Sequence, residues 1–203
     1  MHAAMNSSAA VSNQLDPRLT RYFSDVREVA AQPLSEATKL RLVRELAAKL
    51  VREPLALPRA FRCAPERGYG RNLLHLDREQ QFVVIAMIWP PHSGSAAHDH
   101  GTWGVVAVAE GEVDVTNFER EDDGRDPSRA RLRAACTLRA APGAVASVLP
   151  PHEDFHSVYN PSDSRTAVTI HTYGCEPFNF HRVELASGAV TLGRLAYDNL
   201  RES

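Results

Sequence analysis

From residue 70 to residue 192 the chain runs as ten short segments rich in Val, Ile, Thr and aromatic residues, broken by Gly, Pro and Asp. They are Gly70–Asp77, Gln81–Trp89, Gly104–Ala109, Glu112–Glu119, Arg131–Leu138, Val145–Leu149, Phe155–Tyr159, Thr166–Tyr173, Phe178–Leu185 and Ala189–Leu192. Segments this short bury apolar side chains by pairing with one another, so the pattern predicts a mainly β domain, an antiparallel sandwich or small barrel. Glu110-Gly111, Asp122-Asp123-Gly124 and Ser187-Gly188 read as hairpin turns.

Two helices are expected ahead of the strands. Asp16-Pro17 reads as an N-cap with proline in the first turn, after which Leu19, Tyr22, Phe23, Val26 and Val29 recur at helical spacing until Pro33. Ser35 opens a second helix whose apolar face, Leu40, Val43, Leu46, Ala47 and Leu50, runs on to the residue before Pro54. The two helices are expected to pack on the outside of one β-barrel. Residues 1–14, small and polar, read as a disordered lead-in, and 203 residues suffice for a single domain over 15–203.

Charge and apolar patterning exclude several classes of function. The net charge is -2 and the basic residues are scattered, so no nucleic-acid footprint is visible. The stretch from Arg125 to Arg133 reads as a solvated loop and edge strand. The longest apolar run, Phe82 to Trp89, falls far short of the roughly 20 residues needed to cross a bilayer. The N-terminus lacks a signal-peptide pattern, and Cys63, Cys136 and Cys175 are odd in number and widely spaced, which suits a reducing cytosol and a cytoplasmic protein.

The chemistry concentrates in "HDHGTWG", His98 to Gly104. On an extended strand, residues two apart share a face, so His98 and His100 point together and Asp99 points away. A third ligand is needed from elsewhere, and His152, His156, His171 and His181 are the candidates. "HSVYN", His156 to Asn160, follows shortly after Pro142-Gly143 and resembles the second motif of cupins, while "GSAAHDHGTWGVVAVAEG" resembles the first. The resemblance implies a cupin-type small β-barrel, a double-stranded β-helix of jelly-roll character, with His156 as third ligand; His152 shares its spacing and is the rival. Where most cupins add a glutamate, this chain has Gly104 or Val105, so the site is three neutral imidazoles, which leaves a divalent metal its full charge and open positions.

Thr169, His171 and Tyr173 begin thirteen residues after His156, alternate along one strand and therefore share a face. With the histidines they resemble the thiol dioxygenases, the cupin subfamily that includes cysteine dioxygenase. There a Ser-x-His-x-Tyr array fixes the imidazole and aims the phenol at the metal; Thr169 departs mildly and keeps the hydroxyl. "YGRNLL", Tyr69 to Leu74, resembles the segment that carries the substrate-binding arginine, which makes Arg71 the carboxylate anchor with Tyr69 beside it. Trp103 reads as a wall of the pocket. Animal members have a cysteine crosslinked to the tyrosine; here that position is Gly104, as in many bacterial members, and no such crosslink can form. His75, His92 and His181 read as structural or exposed, and Cys175 as an inert thiol.

The resemblance implies iron(II) held by His98, His100 and His156, a small carboxylated thiol and dioxygen as substrates, and a sulfinate product. L-cysteine matches Arg71. Relatives acting on 3-mercaptopropionate carry glutamine there and a later arginine, for which Arg182 is the candidate; two inward arginines would suit mercaptosuccinate. The competing readings are a non-catalytic metal-binding cupin and a zinc cupin isomerase or hydrolase. A monomer or homodimer is expected.

Overall fold

Helix α1 (Pro17–Ala31) starts where the Asp16 carboxylate accepts the Arg18 backbone N–H at 3.0 Å, and α2 (Glu36–Leu50) starts at Ser35, whose hydroxyl accepts the Thr38 N–H at 3.3 Å. The computed structural model describes residues 15–150, 155–175, 180–194 and 196–201. The second helix stops short of Pro54. Its last turn closes from Val51 N–H to the Ala47 carbonyl, and the next carbonyls, of Glu53 and Pro54, accept from the Arg18 guanidinium at 3.2 and 2.6 Å. The segment after α2 is thereby tied back to the start of α1.

Among the described residues eleven strands follow: β1 (Gly70–Asp77), β2 (Phe82–Trp89), β3 (Ala97–His98), β4 (Gly104–Glu110), β5 (Val113–Arg120), β6 (Leu132–Ala140), β7 (Val145–Val148), β8 (His156–Tyr159), β9 (Ala167–Tyr173), β10 (Phe180–Val183) and β11 (Val190–Gly193). They form two antiparallel sheets, ordered β1-β2-β9-β4-β7 and β11-β10-β3-β8-β5-β6. Ten of these segments agree with the sequence expectation to within a few residues. The eleventh, two-residue β3, has too little length to carry an alternation signal.

The period of two explains the layers. Along β2, Phe82, Val84, Ala86 and Ile88 face the helices in one apolar cluster, while Val83, Ile85, Met87 and Trp89 face the second sheet in another. All eight residues are buried, because β2 is covered on both faces. In β9, Val168 and Ile170 face the helices and Thr172 shares a 2.7 Å hydrogen bond with the Tyr22 hydroxyl of α1. The odd residues of β9 therefore point between the sheets. This alternation aims Thr169, His171 and Tyr173 into the interior.

Two expectations are corrected. The architecture is cupin-like, with two helices and two antiparallel sheets, yet the ladders do not close into one barrel: they end on β1 and β7 in one sheet and on β11 and β6 in the other. Glu110-Gly111 is not a hairpin turn, because β4 and β5 belong to different sheets. Gly111 has φ +64° and sits so close to β9 that a Cβ would approach Ala167 Cα to 2.8 Å, so a tight glycine turn carries the chain from one layer to the other. Ser187-Gly188 and the Asp122-Asp123-Gly124 region do lie in the connections of antiparallel pairs, β10–β11 and β5–β6.

Candidate active site

Strand β3 is pinned on both sides. His98 lies opposite Arg182 of β10 on one edge and opposite His156 of β8 on the other. Antiparallel partners share a face, so His98 and His156 project together. Just beyond β3, Asp99 is turned toward β10: its carboxylate accepts the His181 N–H at 2.6 Å and meets His181 Nδ1 at 2.8 Å, and its own N–H donates to the His181 carbonyl at 3.1 Å. This clamp holds the segment extended and brings His100 back beside His98, with ring centroids 5.1 Å apart.

His98, His100 and His156 each offer a ring nitrogen, and these three nitrogens lie within 4.8 Å of one another. His156 is 4.7 Å by ring centroid from both partners. His98 Nδ1 is 3.0 Å from the Ala96 carbonyl, which fixes the proton on Nδ1 and leaves the Nε2 lone pair for a metal. Burial, followed by the charge of His100, lowers the pKa of His98 to about 3; burial and the two neighbouring imidazoles hold His156 well below its ordinary range. Three imidazoles gathered at this spacing fit a divalent first-row transition metal. His152 lies outside the described residues, and His181 is engaged with Asp99.

A hydrogen-bonded row stands beside the histidines. Trp89 Nε1 donates to Thr169 Oγ1 at 2.9 Å, Thr169 Oγ1 is 2.7 Å from His171 Nε2, and His171 Nδ1 is 2.9 Å from the Tyr173 hydroxyl. Burial comes first, then the His100 and His98 charges, in lowering the His171 pKa to about 3, so the ring is neutral. The Tyr173 ring stacks on His100 with centroids 5.6 Å apart. Gly104 makes this possible: a Cβ there would meet two Tyr173 ring carbons at 2.8 Å. The space that glycine opens beside the ligands is thus filled by the phenol ring.

Across the cavity, Arg71 of β1 donates through Nη2 to the Tyr69 hydroxyl, and its guanidinium lies 4.7 Å from the centre of the Tyr69 ring and 5.9 Å from that of Phe180. Tyr69 in turn stacks on Trp89 at 4.5 Å. Edge strand β1 is held from outside by the C-terminal turn: Arg71 N–H donates to Asp198 at 2.8 Å and Leu73 N–H to Asn199 at 2.9 Å. The arginine, the three imidazoles and the His171–Tyr173 pair line one cavity of about 30 Å³, with Tyr69, Met87, Trp89, Asp99, Val158 and Phe180 completing its wall.

The chain matches the family described as Cysteine dioxygenase type I over residues 6–183. It belongs to the cysteine dioxygenase type I family. The match spans both helices, all three histidines and Arg71, Thr169, His171, Tyr173 and Arg182. Solved structures similar to it include a protein of Thermus thermophilus (16% identity, 60% of this chain and 96% of that one, TM-score 0.43). They also include an RmlC-like cupin of Desulfovibrio desulfuricans (18%, 61% and 97%, TM-score 0.41) and a cupin-superfamily sugar phosphate isomerase of Silicibacter pomeroyi (16%, 56% and 68%, TM-score 0.38).

Two of the residues singled out from the sequence of this cysteine dioxygenase family member sit differently from the rest. Trp103 is buried in the cluster beneath the helices, packed so tightly on Gly174 that a Cβ there would fall 2.0 Å from the indole nitrogen, and it does not line the cavity. Arg182 is likewise outside the lining, with its guanidinium 5.1 Å from the Phe180 ring at the cavity's margin. Trp89, Met87, Val158 and Phe180 were not marked as functional by the sequence. For Trp89 a signal existed: an indole N–H at the end of a fully buried strand requires an acceptor, and Thr169 is the partner.

Proposed function

We propose that this protein is a non-haem iron(II) thiol dioxygenase that converts a small carboxylated thiol, L-cysteine foremost, into its sulfinate. The observation that carries the reading is the convergence on one small cavity of three imidazoles, one guanidinium and one hydrogen-bonded phenol. In the reaction, both atoms of one dioxygen end on sulfur, and the electrons lost by sulfur are those gained by dioxygen. Iron(II) held by His98, His100 and His156 would bind the thiol sulfur in its deprotonated form and activate dioxygen.

The remaining work belongs to side chains. Arg71 would take the substrate carboxylate in a paired, charge-assisted contact, and the Tyr69 hydroxyl and Phe180 ring hold the guanidinium in place for it. Tyr173, supported by His171 and Thr169, would hydrogen-bond to the reacting group opposite the carboxylate. Met87 and Val158 close the wall with apolar surface and limit water at the centre.

One observation favours a second reading of the substrate. Arg182 faces the same side as His98 and its guanidinium lies near the same Phe180 ring as that of Arg71. A thiol with two carboxylates, such as mercaptosuccinate, would use both cations; 3-mercaptopropionate would use one. The test is anaerobic loading with iron(II), then oxygen uptake with L-cysteine, 3-mercaptopropionate and mercaptosuccinate in parallel, with the product identified by mass. One oxygen consumed per sulfinate formed, for a single thiol, supports the dioxygenase and names its substrate. Silence with all three in iron-loaded protein favours a non-catalytic cupin; activity with zinc and no oxygen uptake favours a hydrolytic or isomerising enzyme.

A further inference from the structure

We propose that the 3-10 turn Asp198–Leu200 is a clamp on the substrate anchor: Asp198 and Asn199 are positioning residues that fix Arg71 from the outer edge of β1 and so set how tightly a substrate carboxylate is held. The turn lies beyond the residues of the family match. Strand β1 is an edge of its sheet and has β2 as its ladder partner. Backbone groups of an antiparallel strand alternate between its two edges, so every second residue of β1 turns its N–H away from β2. Arg71 and Leu73 are among those residues. The Arg71 N–H donates to the Asp198 carboxylate at 2.8 Å, the Leu73 N–H to Asn199 Oδ1 at 2.9 Å, and the Leu73 carbonyl accepts from Asn199 Nδ2 at 3.1 Å. The bond to the Arg71 N–H thus comes from the turn, while the ladder with β2 reaches it through its neighbours.

The anchor stands where an edge strand is weakest. The ladder begins at Gly70 opposite Ile88, and Tyr69, whose hydroxyl accepts from the Arg71 guanidinium, precedes it. Strand ends open more readily than strand centres. Gly70 is pressed against the Cys63 carbonyl, and the Asn72 amide bonds both the N–H and the carbonyl of Cys63 at 3.0 and 2.8 Å. Those contacts secure the even-numbered residues; the odd-numbered ones, Arg71 among them, depend on the turn. If the turn left, water could satisfy the outward N–H groups, but it would not fix where they sit.

Charge is arranged in keeping with this role. The Asp198 carboxylate is engaged by the Arg71 N–H and by Arg201 Nε at 3.3 Å. The guanidinium of Arg71 bonds instead to the neutral Tyr69 hydroxyl, which leaves its charge for a ligand. The coupling is reciprocal: a carboxylate that binds better with the turn docked also holds the turn docked. That Arg71 receives a carboxylate rests on the reading given above, and the experiment separates the two.

The experiment measures binding of L-cysteine, 3-mercaptopropionate and mercaptosuccinate by calorimetry to the full-length chain loaded with zinc(II), where no oxidation follows, together with hydrogen exchange of the Arg71 and Leu73 amides. Asp198→Ala is expected to weaken the best thiol by about fivefold or more and, in the iron(II) form, to raise KM with kcat within about twofold. Its Arg71 amide is expected to exchange about tenfold faster or more, and a bound thiol to slow that exchange in the unaltered protein. Asp198→Asn keeps an oxygen that accepts and is expected to stay within about twofold of the unaltered protein in affinity. Asp16→Ala, which loosens α1 rather than β1, is expected to lower stability and leave the affinity unchanged. A folded Asp198→Ala variant that binds the thiol as tightly as the unaltered protein overturns the proposal, and so does an Asp198→Asn variant as weak as Asp198→Ala. Binding that weakens as expected in a protein that consumes no oxygen keeps the clamp and removes the dioxygenase reading alone. If no thiol binds the unaltered protein in its zinc or iron form, Arg71 is not a carboxylate anchor and both fall.

Discussion

Arg71 and Gly104 each make a separate claim that a single substitution can check. Arg71→Gln is expected to lower kcat/KM for the best thiol by about 2–4 kcal/mol in transition-state binding, because the carboxylate of the proposed substrate would lose its paired contact with the guanidinium. A loss under about threefold would remove Arg71 from that role. Comparison with Arg182→Ala then shows whether a second carboxylate is held. Gly104→Ala puts a Cβ against Tyr173 ring carbons that sit 2.8 Å away, while His100 backs the other side of the ring. The phenol must shift, so kcat is expected to fall about tenfold or more with metal content unchanged, a combination that steady-state kinetics and metal analysis together resolve.

The histidine cluster also predicts a pH dependence in the metal-free protein. The folded-state pKa values of His98 and His171 are lowered to about 3 and that of His156 well below its ordinary range, against about 6.5 in an unfolded chain. Below about pH 6.5 the unfolded chain binds protons that the folded one refuses, so stability is full above that value and falls as pH drops toward 3. Each histidine contributes a slope of up to about 1.4 kcal/mol per pH unit in this window. The lowered pKa of Asp16, about 2, adds its own loss only below about pH 4. Denaturant midpoints measured from about pH 7 to about pH 4 are expected to fall steadily, and a flat profile would contradict the buried, neutral state of the cluster.

At the scale of single elements, the start of α1 and the doubly buried β2 are the parts whose sequence signals were strongest. Asp16 caps the helix, pairs with Arg18 at 2.7 Å and accepts from Ala56 N–H at 3.3 Å, so it closes the helix and holds the segment after α2. Asp16→Ala is expected to cost about 1–2 kcal/mol, read from chemical denaturation. The cap, the proline after it and the apolar face were all legible because they depend on neighbours within one turn. Strand β3 was not: the expectation that His98 and His100 share a strand face gave the correct partnership for another reason, since only His98 is in β3 and the Asp99–His181 contacts bring His100 round. Trp103 is the converse case. Its neighbour in sequence, Gly104, packs on the Tyr173 ring, yet β4 alternation and the Gly174 approach set Trp103 in the helix-facing core.

At the scale of the whole molecule, the second sheet has a narrow waist. Its halves, β10–β11 and β5–β6–β8, meet in the strand ladder through two-residue β3, which pairs with β8 at His98–His156, and outside the strands the connection from β5 to β6 reaches β11 at the Arg129–Ala189 bridge. A metal held by both histidines would bridge this waist. Loading is therefore expected to slow backbone hydrogen exchange in β10 and β11 beyond any effect in β2 and β9, and to raise stability by about 4 kcal/mol at a thousandfold excess over Kd. Uniform protection across both sheets would argue against this bridging role. No described helix is long and apolar enough to cross a membrane.

The period of two, the helix caps and the candidacy of His98, His100, His156, Arg71, His171 and Tyr173 rest on short stretches of chain and were legible in the sequence by itself. The tertiary structure alone decided which sheet each strand joins, why Glu110-Gly111 passes between layers, where the Trp103 ring goes and how Trp89 links Tyr69 to Thr169. Alternation tells which way a side chain points relative to its own strand. What stands opposite it is set by pairings between residues as distant as Trp89 and Thr169, which no local pattern encodes.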